Sequence, residues 1–231
     1  MTLEVIPVPG LPEIGPGDDL ADLLDPVDVR DGDVVVVTQK VVSKQEGRIV
    51  PAADRDAAIA GETVRVVATR DDLVIAETRH GFVCANAGVD ASNVADGMLT
   101  LLPDDPDASA ARLWRALVDR RSLQRLGVVI TDTFGRPWRN GLVNVAIGCA
   151  GLPALIDLRG RADHHGRELE VTVVALADEV AAASGLVMGK SARVPAALVR
   201  GVDLAAEAPG RAADLIRSQD EDLFREGVME P

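Results

Sequence analysis

The segment "ITDTFGRPWRNG", Ile130 to Gly141, places Asp132 and Thr133 directly after an apolar run, with Arg136 and Arg139 close behind. A carboxylate beside a hydroxyl offers two oxygen ligands to a hard cation such as Mg2+ or Mn2+. Two guanidiniums on either side of Trp138 can hold phosphate or carboxylate groups in a forked geometry. Polar groups just past the carboxyl end of a strand are where open α/β sheets bind ligands. The same residues also suit an ordinary turn, with Asp132 as a cap and the arginines in solvent.

Three further segments carry compatible groups. "NAGVDASNVADG", Asn86 to Gly97, adds Asp90 as a second oxygen ligand and Asn93 as a contact for a base, ribose or phosphate. Read by itself it is equally an Asx turn and helix cap. "TQKVVSKQEGR" sets Gln39, Lys40, Ser43 and Lys44 behind a valine run, where a lysine can neutralise a polyphosphate. "GLPEIGPGDD" is a Gly/Pro turn whose backbone can pass close to a ligand. The last two read equally as plain surface turns.

Several motifs are excluded. "GLVMGKS", Gly185 to Ser191, ends like a phosphate-binding loop, but only three residues separate its glycines where four are required. A helix also runs into these glycines, whereas a phosphate loop leaves a strand and opens a helix. His164 and His165 are adjacent, with no third ligand at zinc spacing, and read as a solvated loop. His80 and Cys84 lie on an expected strand and do not form a nucleophile pair. No G-x-S-x-G elbow occurs.

The elements that must position these residues alternate along the chain. Strands are expected at "LEVIPV", at Val34–Val37, in "LVIAETRHGFVCANAG", in "LGVVI", over Leu169–Val174 and in "VPAALVRG". "LGVVI" is expected to end at the polar residues that follow it. A short helix is expected to be capped by Asp18 or Asp19. Further helices are expected in "DAAIAGETVRVVATR", in "DPDASAARLWRALVDRRS" with Ala111, Trp114, Leu117 and Val118 on one face, before Gly185, and in the tail "AADLIRSQDEDLF". After Val37 either a helix or a second strand is open. The order predicts an α+β (mixed α/β) fold, as one domain over residues 1–231 with two closely associated lobes.

The chain has 231 residues, is 47% hydrophobic and carries a net charge of −13. That acidic balance argues against nucleic acid, which requires a basic face. No apolar run is long enough to span a membrane, and "MTLEVIPVPG" lacks the features of a signal peptide. Cys84 and Cys149 make neither a metal pattern nor a disulfide framework, so a reduced, cytoplasmic setting is expected. Positive charge is almost all arginine, and the only lysines are Lys40, Lys44 and Lys190. Each lies at a strand end or beside glycine, where a compact ammonium suits a phosphate, although chance use of the residue explains the pattern equally well.

Taken in order, "GLPEI", "DGDVVVVTQKVVSKQEGRIV", "AGVDASNV", "ITDTFGRPWRNG", "LEVTVVALADEVAAASGLVMGK" and "VPAALVRG" resemble the coenzyme F420-0:gamma-glutamyl ligase family over residues 10 to 201. The likeness is to its stand-alone form, without the nitroreductase-like domain fused in actinobacterial relatives. It implies a GTP-dependent ligase that attaches L-glutamate to a deazaflavin through an acyl phosphate, releasing GDP and phosphate. It also implies Mg2+ or Mn2+ (two ions), K+ as a further ion, and a homodimer. Carried over by position, nucleotide contacts fall on Leu11, Pro12, Glu13, Ile14, Gln39, Lys44 and Asn93, and on Met188, Gly189 and Lys190. Metal ligands fall on Asp90, Asp132 and Thr133. Lys44, Arg136 and Arg139 join Asp132 in the expected catalytic set. Gln39, Leu142, Asn144 and Lys190 depart from the pattern, and Lys190 leaves the second metal's ligands open. A metal-dependent phosphohydrolase and a non-catalytic nucleotide- or deazaflavin-binding module are the alternatives.

Overall fold

A computed structural model describes residues 2–222. Its centre is a five-stranded sheet in the order β1 (Glu4–Val8), β12 (Ala196–Arg200), β2 (Val34–Thr38), β8 (Gly127–Arg136), β9 (Arg139–Ala150). β2 and β8 run parallel, and every other pair in this sheet is antiparallel. Both faces of β2 are covered, which is why its sequence is an unbroken valine run and does not alternate. Val35 and Val37 enter one core with Leu20, Leu24, Leu113, Leu117, Leu126 and Ile130. Val34 and Val36 enter the other with Ala177, Val180, Ala181 and Leu152.

The first face is covered by α1 (Leu20–Leu23) and α4 (Pro106–Arg121). Asp19 caps α1, accepting the Ala21 N–H at 2.8 Å. Asp105 caps α4, accepting from Ala108 at 3.0 Å, with Pro106 opening the helix where its missing N–H costs nothing. The buried stripe of α4 is Pro106, Ala110, Leu113 and Leu117. Ala111, expected on that face, is exposed, because Pro106 and Ala110 set the stripe one position earlier. The second face is covered by α5 (Leu176–Met188), whose alanines let it lie close to the sheet.

Between β2 and β8 the chain forms α2 (Gln39–Gln45), β3 (Ile49–Pro51), α3 (Arg55–Glu62), β4 (Thr63–Arg70), β5 (Leu73–Thr78), β6 (Val83–Ala85) and β7 (Met98–Thr100). After Val37 the open choice therefore resolves as a helix. β4, β5 and β6 make an outer antiparallel sheet, and β3 pairs with β7. The helix expected through "DAAIAGETVRVVATR" stops at Glu62 and the remainder is β4. Its β-branched residues favour a strand, and they are mostly exposed, so no alternation marks it.

Two other expectations are corrected. Of Leu169–Val174 only Val173–Val174 is a strand, β11, paired with β10 (Ile156–Asp157). In the tail, Ala212–Leu215 and Gln219–Glu221 are single 3-10 turns, residues 216–218 between them are not helical, and of the expected helix only Leu223 and Phe224 lie outside the described residues. Among the described residues, no helix is long and apolar enough to cross a membrane.

Candidate functional site

The parallel pair ends at Thr38 opposite Thr131. The next residue on one strand is Gln39, which begins α2, and on the other it is Asp132. Asp132 thus lies where β8 loses its parallel neighbour, at the carboxyl end of the pair. The strand itself does not end there. It continues to Arg136 and turns at Pro137 and Trp138 into β9, forming a long hairpin. A bulge at Ile147 shifts the register between Ile130 and Thr131. It frees the Ala146 N–H, which donates to Asp178 Oδ1 of α5 at 2.8 Å. A bulge of this kind twists its hairpin, here beside Asp132.

Asp132 and Asp90 come together. Asp90 is held by reciprocal backbone bonds with Thr100, the last residue of β7. Its Oδ1 accepts the Ser92 N–H at 2.7 Å, and its Oδ2 accepts the Ser92 hydroxyl at 3.0 Å and the Lys40 ammonium at 2.6 Å. Burial opposes the charge on Asp90, but Lys40 and the Ser92 donors outweigh it and hold the carboxyl below its usual range. Asp132 is different. Burial pushes its carboxyl up to about 6, against the pull of the Thr133 N–H, Lys40 and Lys190, with Asp90 adding to the rise. Among the described residues Asp132 makes no ion pair within 4.0 Å, and no group of three or more His, Cys, Asp or Glu side chains is placed to hold a metal.

Thr133 does not share a ligand set with Asp132. Adjacent residues of a strand face opposite sides, and the β8 ladder is continuous through both. Asp132 faces the side of Ile130 and Phe134, and Thr133 faces the side of α5, where its hydroxyl donates to Asn144 Oδ1 at 3.0 Å. The departure at Asn144 therefore has a local role, receiving the Thr133 hydroxyl. Gly185 of α5 is close by, since a Cβ there would lie 3.3 Å from the Asn144 amide. This gives the glycine of "GLVMGKS" a packing function inside a helix that ends at Met188.

The other expected residues divide as follows. Lys44, one helical turn beyond Lys40, is bonded to Glu13, so two expected nucleotide-contact segments meet there. Ile14 is buried in the core, while Pro12 is exposed and Leu11 half-buried. Leu11 borders a cavity of about 480 Å3 between β1 and Arg30, away from Asp90 and Asp132. Gln39 is fully buried. Its Oε1 accepts from Ser43 at 2.8 Å, its Nε2 has no partner among the described residues, and it presents no surface to a ligand. Asn93 is exposed at a positive φ of 57°. Met188 is a core residue, since it packs under the sheet as the last residue of α5, whereas Gly189 and Lys190 are exposed just beyond it. Arg136 and Arg139 pair across the hairpin turn. Arg136 lies four residues along the strand from Asp132, roughly 13 Å, and among the described residues neither arginine makes an ion pair with Asp90 or Asp132. Lys40, outside the expected nucleotide-contact and catalytic sets that include Lys44, is the lysine the structure puts on Asp90. Its spacing of four from Lys44 was the available signal, because both lie on one face of a helix.

The donor set suits a hard divalent cation. Two carboxylates, one of them desolvated and without a counter-ion in contact, fit Mg2+ or Mn2+, which take one or two protein carboxylates and complete their shell with water and substrate phosphates. Asp90 and Asp132 would hold one such ion. Thr133 and Asn144 present only neutral oxygens on the opposite face.

The match with known proteins covers the same elements. The chain belongs to the F420-0:gamma-glutamyl ligase family, whose model matches residues 10–64 and 56–201. It is 42% identical to the coenzyme F420:L-glutamate ligase of Methanothermobacter thermautotrophicus, over 97% of this chain and 100% of that protein. It is 44% identical to the protein of the same name from Archaeoglobus fulgidus, over 97% of both chains. A third, from Methanopyrus kandleri, is 42% identical over 97% of this chain and 98% of its own length.

Proposed function

We propose that this protein is a GTP-dependent ligase that joins L-glutamate to coenzyme F420-0, a deazaflavin bearing a carboxylate, by amide bonds. The observation that carries the reading is membership of the ligase family at above 40% identity over nearly the whole chain. The convergence of Asp90, Asp132 and Lys40 at the end of the parallel strand pair supports it.

In this reading the acceptor carboxylate attacks the γ-phosphate of GTP, and GDP leaves. The acyl phosphate formed is then attacked at its carbonyl carbon by the amine of glutamate. Phosphate leaves, and the amine gives up its proton. Mg2+ or Mn2+ bound at the carboxylates supplies charge neutralisation on the phosphate oxygens. The chain contributes positioning and charge. Asp90 and Asp132 fix where the triphosphate sits. Lys40 and Lys44 offer ammoniums along one helix face. Lys190 adds a cation from the end of α5. Thr133 and Asn144 offer oxygens on the α5 side for a second ion, and K+ is a further ion of the proposal. The protein acts in the cytoplasm as a homodimer.

The test is product analysis. Purified protein is incubated with GTP, glutamate, Mn2+ and the deazaflavin acceptor, and the acceptor is weighed by mass spectrometry. A gain of glutamyl residues, with GDP released only when both acceptor and glutamate are present, is the expected result. Phosphate released from GTP alone identifies a phosphohydrolase, and binding without turnover identifies a binding module. Light scattering that gives a monomer at assay concentration overturns the dimer.

A further inference from the structure

We propose that Lys40 is the resident counter-ion of the carboxylate centre. Its ammonium holds the Asp90 oxygen that a divalent cation needs, and it is drawn off by the incoming triphosphate. This rests on the ligase reading in one respect, that Asp90 and Asp132 hold the cation.

Both oxygens of Asp90 are engaged, Oδ1 by the Ser92 N–H and Oδ2 by the Ser92 hydroxyl and Lys40. The two Ser92 bonds come from the next turn of the same loop and orient the carboxylate. Only the Lys40 bond comes from another element, at a separation of 50 residues. The Lys40 side chain is 10% exposed and Asp90 33%, so the pair is poorly screened by solvent. Lys40, together with Lys190, also acts on Asp132, which among the described residues makes no ion pair within 4.0 Å. One ammonium therefore serves two carboxylates. The neighbouring lysines do not substitute for it, since Lys44 is taken by Glu13 and Lys190 is exposed.

A divalent cation reaching Asp90 meets this ammonium as a like charge in a place that water screens weakly. The cation and Lys40 therefore compete. A triphosphate removes the conflict, because its oxygens accept the ammonium as well as the metal. The lysine sits on the first turn of a helix at the strand end and has a flexible four-carbon stem, so it can move from Asp90 to phosphate without a change of fold. Metal and nucleotide then bind together, and Lys40 offsets part of the negative charge of the two carboxylates.

The experiment measures Mn2+ binding by electron paramagnetic resonance without GTP, glutamate or deazaflavin, in the wild type and in Lys40→Met, Lys40→Gln and Lys40→Arg. Lys40→Met and Lys40→Gln are expected to bind Mn2+ about tenfold tighter or more, and Lys40→Arg no tighter than wild type. Metal-free Lys40→Met should melt at a lower temperature and regain the loss with Mn2+, as an uncompensated carboxylate gains its ion. If Lys40→Met does not fold without metal, Lys40→Gln carries the comparison, since its amide can still donate to Asp90. Unchanged or weaker Mn2+ affinity in the neutral variants overturns the inference. If the wild type binds no Mn2+ even with a GTP analogue present, the metal centre falls and the inference with it. If it binds then, and the Lys40 variants show no gain, only the role of Lys40 falls.

Discussion

Asp132 and Thr133 are neighbours in the chain and face opposite sides of the central sheet. Asp132 lies with Asp90 and Lys40, and Thr133 lies with Asn144 beside α5. They cannot act as one ligand pair, so their substitutions should separate. Asp132→Ala is expected to lose Mn2+ binding and to reduce turnover by about a thousandfold, with an unchanged circular dichroism spectrum. Thr133→Val should retain Mn2+ at the carboxylate pair while lowering kcat. Equal loss of Mn2+ in both variants would return the two residues to a single site.

The raised Asp132 carboxyl has a consequence for stability that can be isolated by comparison with Asp132→Asn. Its ordinary value is 3.8 and its folded value about 6. The folded chain therefore holds this proton more tightly than the unfolded chain. Stability from this group is fully present below about pH 4 and is lost as pH rises through 6. In chelator, the wild type should lose stability relative to Asp132→Asn between pH 4 and pH 6.5, by about 3 kcal/mol at most. Denaturant titrations at several pH values measure it. A flat difference would show that the carboxyl is not desolvated.

Gly148 of β9 carries the start of α4. A Cβ there would stand 2.3 Å from the Pro106 carbonyl oxygen, a backbone atom with no rotamer to yield. Gly148→Ala should destabilise the protein by about 2 kcal/mol or more through overpacking. At Gly185 the contact would be with the Asn144 side chain at 3.3 Å, which can shift. Gly185→Ala should therefore cost little in thermal melts, helped by the ~1 kcal/mol helix preference for alanine. It should lower kcat by moving Asn144 off Thr133.

The central strands were legible because Val34–Val37 and "LGVVI" are apolar runs that only a doubly covered sheet explains. The capping of α1 by Asp19 was legible from local chemistry. Position in the fold hid the rest. The outer half of β8 and the facing half of β9 lack a buried face, so no period marks residues 133–143 as strand, and Asp132 read as the end of one. β4 was hidden in the same way, by exposed Val64, Val66 and Val67. Met188 and Gln39 are addressed by position in the chain, which does not reveal that both are buried. The pairing of Lys40 with Asp90 joins residues 50 apart and exists only once β7 anchors Asp90 beside α2.

The central claim is that Asp90 and Asp132 together seat a metal-bound triphosphate. Pulsed electron paramagnetic resonance of the protein with Mn2+ and a non-hydrolysable GTP analogue tests it most directly, through the coupling between Mn2+ and phosphorus. The wild type should show that coupling on protein-bound Mn2+, and Asp132→Ala and Asp90→Asn should lose the bound signal. An identical bound spectrum in both variants would place the nucleotide elsewhere and contradict the account.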